Sequence, residues 1–388
     1  TGYSTALVAQ YFGAGEKQNT TKSAFQAVLI ALLAWPLIML SKPVLSMYFE
    51  MARIPASQLG YQNDYLNILI WGSVFSLLRH TLGCYFTGTG KTKIVMTATV
   101  LAMIINVILD YILIFGKLGF EPMGVKGAAL ATISGSFAAT LLLFIVYLNK
   151  TNQVEFSVLK SFRFNWPIMK KLIVFGSPAG FELFLNFIAF SVMISIFHSK
   201  GDVAATATTI MFNWDMVSYI PLLGLEIAVT SLVGRYMGAR KPEIAQHAAL
   251  SAIKIGIFYS LIVLILFVFI PEALVRVFHP AQPSQIFEDA VPIAVNMIKI
   301  AALYVLAEAV LVAFVGALRG AGDTFFTMVA SVAAHWSFVP VIYLSLYVFN
   351  FSVELSWFLL VVFFLMFGVV LGFRFKSGKW KKIKVINN

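Results

Sequence analysis

The chain has 388 residues, of which 60% are hydrophobic and only 12% charged, with a mean hydropathy of +0.87. A soluble domain of that length needs a far larger charged surface, so these values describe a polytopic membrane protein. The net charge of +11 does not by itself call for nucleic acid, and the single Cys84 excludes a disulfide scaffold and a cysteine metal cluster.

Apolar stretches long enough to cross a bilayer, about 20 residues in a helix, recur along the whole chain. Residues 1–13 read as the inner end of one span. Further spans are expected at 24–47, 60–87, 93–116 and 124–148. After a polar linker over 150–166 they resume at 168–198, 203–234, 248–271, 290–317, 325–349 and 353–375. A basic tail covers 377–388. Pro36, Pro178, Pro221 and Pro340 lie inside spans, where each removes a backbone hydrogen bond and permits a kink. A structural hinge is the simplest reading of all four.

The second half repeats the first. LVAQYFGA at 7–14 matches LVGRYMGA at 232–239, an offset of 225, and YFTGTGKT at 85–92 falls against ALRGAGDT at 317–324, an offset of 232. Duplicated helix bundles in one chain are the usual design of a secondary transporter. The second unit begins near Trp166, about sixty residues before the block that matches Leu7, whereas six residues precede Leu7 itself. Thr1 is also not an initiator Met. The expectation is a chain lacking one complete helix and the outer half of the next.

Basic residues set the orientation. Nineteen fall on one side of the spans, among them Lys17, Lys91, Arg163, Arg235 and Arg319, together with Arg374 and the lysines of the tail. The other side has five: Arg53, Lys117, Lys126, Lys200 and Arg276. This asymmetry puts the linker and the C-terminus in the cytoplasm. An even number of spans per complete half makes the repeat parallel. The predicted fold class is therefore an all-α integral membrane protein with two parallel, pseudo-symmetric six-helix lobes. Twelve helices complete that plan, and about eleven are represented. The expected divisions are an N-terminal lobe at 1–149, the linker at 150–166, a C-terminal lobe at 167–376 and the tail at 377–388. The tail serves as a topology determinant touching anionic headgroups. No aromatic-basic nucleic-acid fold accompanies it, so no nucleic-acid partner is expected.

Thr87-Gly-Thr-Gly-Lys-Thr92 imitates a phosphate-binding loop. The motif requires glycine five positions before Gly90, where this chain has Tyr85, and a buried strand before it instead of a membrane span. The glycines suit a tight turn between helices, as does the repeat partner Gly320–Thr324. Nothing else resembles an ATPase, so transport energy must come from an ion gradient.

Carboxylates inside spans are the candidates for coupling to that gradient, because each costs several kcal/mol at the bilayer centre. They are Asp110, Glu182, Asp215, Glu226 and Glu308. Asp110 lies four residues after Asn106, on one helical face. That pair offers hard oxygen ligands to sodium, or the carboxyl titrates alone as a proton carrier. Glu182 follows the Pro178-Ala-Gly180 break, where unwound backbone can add carbonyl ligands. The alternative for each acid is a helix–helix hydrogen bond or a side chain snorkelling to the interface. Arg79, His80, Lys254 and Lys299 lie in or near spans and can snorkel. His335, beside Trp336, is the better substrate-facing or proton-carrying candidate, against the alternative of a histidine satisfied by helix packing. The 36 Phe and 14 Met suit a cavity for flat organic cations, although phenylalanine equally fills lipid-facing surface.

Taken together in order and spacing, LVAQYFGAG (7–15), NVILDYILIFG (106–116), GVKGAALAT (124–132), GSPAG (176–180), PLLGLEIAVTSLVGRYMGA (221–239) and ALRGAGDT (317–324) resemble the multidrug and toxic compound extrusion (MATE) family over essentially the whole chain. The resemblance implies a twelve-helix antiporter with two six-helix lobes around a cleft. Such proteins export organic cations or drugs against inward sodium or protons by alternating access. By motif, Asn106, Asp110 and Thr132 match polar residues of the family's N-lobe cation site, which also uses an Asp on the first helix. Glu308 matches the acid eleven residues before the arginine of the LRG motif. The C-lobe acid expected eight residues after Pro178 is Asn186 here, with Glu182 one turn earlier, and Glu226 stands where relatives usually have Gly.

The expected function is thus a secondary antiporter in a bacterial-type plasma membrane. Its coupling-site residues are Asp110, Asn106 and Thr132 in the first lobe and Glu308, Glu182, Asp215 and Glu226 in the second, with His335 as a possible substrate or proton group. Asp110 and Asn106 are the candidate sodium ligands. No resident cofactor or enzymatic activity is expected, sodium or proton being transported. The expected partners are the bilayer and small organic cations, with a monomer as the working unit. The alternatives are an exporter of lipid-linked sugars or another non-cationic substrate, and a non-transporting remnant.

Overall fold

A computed structural model describes residues 2–51 and 55–386, and Arg53, counted above on the less basic side, lies outside them. The described residues are helical with no strand. The first seven helices are α1 (Ser4–Gly13), α2 (Lys17–Leu40), α3 (Lys42–Met51), α4 (Ala56–Gly88), α5 (Thr92–Phe115), α6 (Val125–Tyr147) and α7 (Lys150–Phe156). Next come α8 (Trp166–His198), α9 (Asp202–Gly238), α10 (Pro242–Phe269), α11 (Pro271–Arg276) and α12 (Gln285–Ala301). The last are α13 (Val305–Ala321), α14 (Thr324–Tyr343), extended by a π-helical turn over Leu344–Val348, and α15 (Val353–Lys376). The chain forms two compact units, one up to Ile173 and one from Val174 on, so the division falls inside α8.

Eight of the described helices are long and apolar enough to cross a membrane, and a ninth span results if the bent pair α12 and α13 counts as one. Large apolar side chains such as Leu33, Phe187, Phe258 and Phe373 stand exposed. In a bilayer that surface meets acyl chains and carries no penalty. Three sequence expectations need correction. The span placed at 24–47 begins earlier and its helix ends at Leu40, with α3 following. Residues 60–87 do form a helix, α4, but it is not among the eight apolar ones; Gln62, Asn63, Asp64, Asn67, Arg79 and His80 dilute its apolar character. The span at 290–317 is not one rod, since α12 and α13 meet at 52°.

The phosphate-loop imitation is a helix-to-helix turn. Gly88 ends α4, Gly90 takes φ +78°, and Thr92 opens α5. The linker folds as α7, capped by the Asn149 side chain, and a 3-10 turn at Val158–Ser161. Pro36, Pro178, Pro221 and Pro340 all lie within helices.

Close helix packing without a hydrophobic driving force relies on small residues. In the second unit, Gly316 and Gly320 form a G-x-x-x-G face on α13 against α9. A Cβ added at Gly316 would lie 2.6 Å from the Glu226 carbonyl oxygen, and one at Gly320 would lie 2.6 Å from that of Thr230. Thr230 Oγ1 donates to the Gly316 carbonyl at 3.1 Å across the same seam. In the first unit a Cβ added at Gly135 of α6 would likewise lie 2.6 Å from the Ala102 carbonyl oxygen of α5. Gly320→Val is therefore expected to cost about 1–3 kcal/mol, as overpacking against rigid backbone does. Thermal melting in detergent reads it as a lowered Tm. Gly224→Ala, where an added Cβ meets nothing within 4 Å, should leave the Tm unchanged or slightly raised.

Candidate functional site

The α5–α6 seam positions the first group of polar residues. Asn106 and Asp110 share a face of α5, and Asn106 Nδ2 donates to Thr132 Oγ1 on α6 at 3.5 Å. The Thr132 hydroxyl donates back along its own helix to the Ala128 carbonyl at 3.0 Å. Asp110 is half-buried, and its Oδ1 is buried without a hydrogen-bond partner. Asn106 and Thr132, 26 residues apart in sequence, thus meet as expected from their motifs, and Asp110 adds an open acceptor one turn away.

The second unit gathers four acids on three helices. Glu308, in the first turn of α13, is 5% exposed, and its Oε2 has no hydrogen-bond partner. Beside it, Asp215 of α9 accepts a hydrogen bond from the Tyr304 hydroxyl. Tyr304 sits at the bend between α12 and α13, so the broken span that the sequence hid is what aims this phenol at Asp215. Tyr304 joins the two acids, since its hydroxyl donates to Asp215 and its carbonyl accepts from the Glu308 amide at 2.8 Å. Two carboxylates joined in this way offer oxygen ligands from two helices to one small cation.

Glu182 and Glu226 have a different environment. Arg319, in the last turn of α13, donates from Nη2 to Glu182 Oε1 at 2.9 Å and from Nη1 to Glu226 Oε1. Both acids are buried, at 3% and 8% exposure. The arginine thus ties α8 and α9 to α13. Glu182 Oε2 and Arg319 Nε remain buried without partners. Arg319 was counted above as a loop charge of the basic side; it belongs instead to this buried triad. Arg374 likewise forms a bidentate pair with Asp323, at 2.7 and 3.1 Å.

Next to the triad, Asn186 Nδ2 donates to Ser331 Oγ at 2.8 Å, leaving Asn186 Oδ1 unpartnered. His335 Nδ1 donates to the Ser331 carbonyl at 2.8 Å, and the ring lies near Phe338 and Phe367. Sequence reasoning missed Tyr304, Ser331 and the bridging role of Arg319. A signal for Arg319 was available, since a buried Glu226 in place of glycine requires a cation near it.

The described residues hold no cluster of His, Cys, Asp and Glu suited to a resident metal ion. What the two sets of residues offer is buried carboxylates with open oxygens, the chemistry for reversible binding of protons or monovalent cations.

Comparison with known proteins gives consistent matches. The MatE family model matches residues 3–112 and 178–344. The probable multidrug resistance protein NorM of Thermotoga maritima is 26% identical over 385 residues, covering 98% of this chain and 81% of its own length. The multidrug resistance protein PmpM of Pseudomonas aeruginosa is 29% identical over 341 residues, covering 86% and 69%. Two solved structures share the fold. An outward-facing multidrug resistance MATE family transporter superimposes with a TM-score of 0.86 at 20% identity, covering 98% of this chain and 84% of that one. A MOP superfamily transporter of Pyrococcus furiosus, described as having a binding pocket of reverse polarity that suggests a different function, gives 0.89 at 19% identity over the same shares.

Proposed function

The chain belongs to the MATE family of membrane transporters, and from that premise we propose that it exports organic cations or drugs in exchange for inward sodium or protons. The observation that supports this most directly is Glu308, a buried carboxylate with an open oxygen beside the Asp215–Tyr304 pair. The names of NorM and PmpM point the same way for substrate class.

In this reading the coupling ion enters one lobe or both, at Glu308 with Asp215 or at Asp110 with Asn106 and Thr132. Binding neutralises a buried charge, which favours one packing of the surrounding helices. Drug binding favours the other. Exchange follows only if each ligand distinguishes the two states. Arg319 plays a separate part, pairing with Glu182 and Glu226 and tying α8 and α9 to α13, which leaves Glu308 and Asp110, each with an open oxygen, as the acids available to the coupling ion. The protein works in a plasma membrane with its C-terminus in the cytoplasm, as a monomer without a resident cofactor.

Ethidium efflux from pump-deficient bacteria expressing the chain tests the proposal. Efflux that rises with external sodium supports sodium coupling, and efflux that follows an imposed proton gradient supports proton coupling. Absence of efflux under both gradients, with folded protein confirmed in the membrane, would transfer the assignment to a non-cationic substrate.

A further inference from the structure

In each unit, the segment that follows the last long helix folds back onto the same end of its own bundle. In the first unit this is the linker. Phe156, 1% exposed, inserts beside Phe12 and Tyr85 with ring centroids 6.0 Å from each. Thr21 of α2 donates to the Phe156 carbonyl at 3.1 Å. Around this aromatic lies an ionic collar. Glu155 pairs with Lys17 at 3.7 Å and Lys91 at 3.6 Å, and Lys91 also donates to Asn152 Oδ1 at 2.9 Å. The linker therefore touches both the α1–α2 turn and the α4–α5 turn.

The second unit has the same arrangement. Trp380, fully buried, stacks on Phe375 at 5.3 Å and donates to the Phe375 carbonyl at 2.9 Å. Lys381 pairs with Glu243 at the start of α10, at 3.0 Å, and Arg374 pairs with Asp323 in the α13–α14 turn. Asp323 is the repeat partner of Lys91 at the offset of 232. The same turn position thus carries opposite charge in the two halves, although Asp323 is held by Arg374 of α15 and Lys91 by Glu155 of the linker. Glu243 and Lys17 occupy the first turns of the paired helices α10 and α2, again with reversed sign.

We propose that these segments are straps, each seated by a buried aromatic and registered by ion pairs whose signs are reversed between the halves, so that each strap fits only its own unit. The division of labour follows from exposure. Glu155 and Lys91 are about one-third exposed and Lys17 about half, and pairs so wetted hold little by themselves. Buried aromatics supply most of the hold. The charges supply discrimination, because a strap of the wrong sign would set like charges against Lys17 and Lys91 in the first unit or against Glu243 in the second. Each strap thereby joins the turns at one end of its unit into a single body that can move without fraying.

Hydrogen exchange read by mass spectrometry on the full chain in nanodiscs tests this. Phe156→Ala should raise exchange over 150–163 by at least about a hundredfold, from the loss of a buried ring, while exchange over 377–386 stays as in the parent. Trp380→Ala should do the converse. The paired substitution Lys17→Glu with Lys91→Glu should raise exchange over 150–163, and adding Glu155→Lys should restore it. Glu155→Gln, which introduces no repulsion and keeps the shape, should raise exchange roughly two- to fivefold. If the triple reversal exchanges as fast as the double, or Glu155→Gln exchanges like the parent, charge does not register the strap and the proposal fails. Unchanged protection in both aromatic variants would overturn the seating itself.

Discussion

Glu308→Gln is expected to abolish gradient-driven ethidium efflux while leaving the protein folded in the membrane. Glutamine keeps the size and a hydrogen-bonding oxygen at a site 5% exposed, but it neither carries a proton nor attracts a cation. Efflux should therefore fall to the rate of cells without the protein. The Tm should not fall. An acid with an open buried oxygen is costly to keep charged, and the neutral amide removes that cost. Asp110→Asn tests the first lobe in the same assay, with the same expected loss. Normal efflux in both variants would refute the assignment of coupling to these two acids. Loss in one alone would locate the coupling in that lobe.

The second large effect is on stability. Arg319→Met retains much of the side-chain bulk but leaves Glu182 and Glu226 buried without their cation. Removing one partner from a buried ion pair typically costs about 3–5 kcal/mol, and here one guanidinium serves two acids. The expected result is a strongly lowered Tm and reduced yield of folded protein in detergent. Adding Glu182→Gln and Glu226→Gln should recover most of the loss, because no uncompensated charge then remains. A native Tm for Arg319→Met would mean that water or headgroups solvate these acids, and the triad would not be structural. The same experiment separates the roles of the acids. If Glu182→Gln alone spared stability yet abolished efflux, Glu182 would belong with the coupling acids instead of the fixed charges.

Much of the first lobe's site was legible in the sequence because it is local. Asn106 and Asp110 are one turn apart on a single helix, and any helix places them on one face. Their meeting with Thr132 depends on a close seam between consecutive helices, which the glycines of 124–135 permit. The second lobe's site was legible only as a list of acids. Glu182, Glu226 and Arg319 come from three helices spread over 138 residues, and nothing in their spacing shows that one arginine reaches both acids. Tyr304 was invisible because the span at 290–317 has the composition of one helix. Its break at 302–304 has no proline or glycine to announce it, and Tyr304 stands at that break with its phenol on Asp215. The same limit applied to Arg319 and Arg374, which count as loop charges when position along the chain is all that is known.

Composition and hydrophobic length determined by themselves that this is a helical membrane protein, since a bilayer tolerates few charges and demands internally satisfied backbone. The repeat marked a duplicated bundle, and the motif blocks carried the resemblance to the family that the MatE model matches over residues 3–112 and 178–344. Tertiary structure alone decided which buried acids pair with a cation, Glu182 and Glu226 with Arg319, and that Glu308 keeps an open oxygen. Burial cost falls on every intramembrane carboxylate alike, so the sequence could mark all five, but the partner that relieves that cost comes from a distant helix and exists only once the helices have packed.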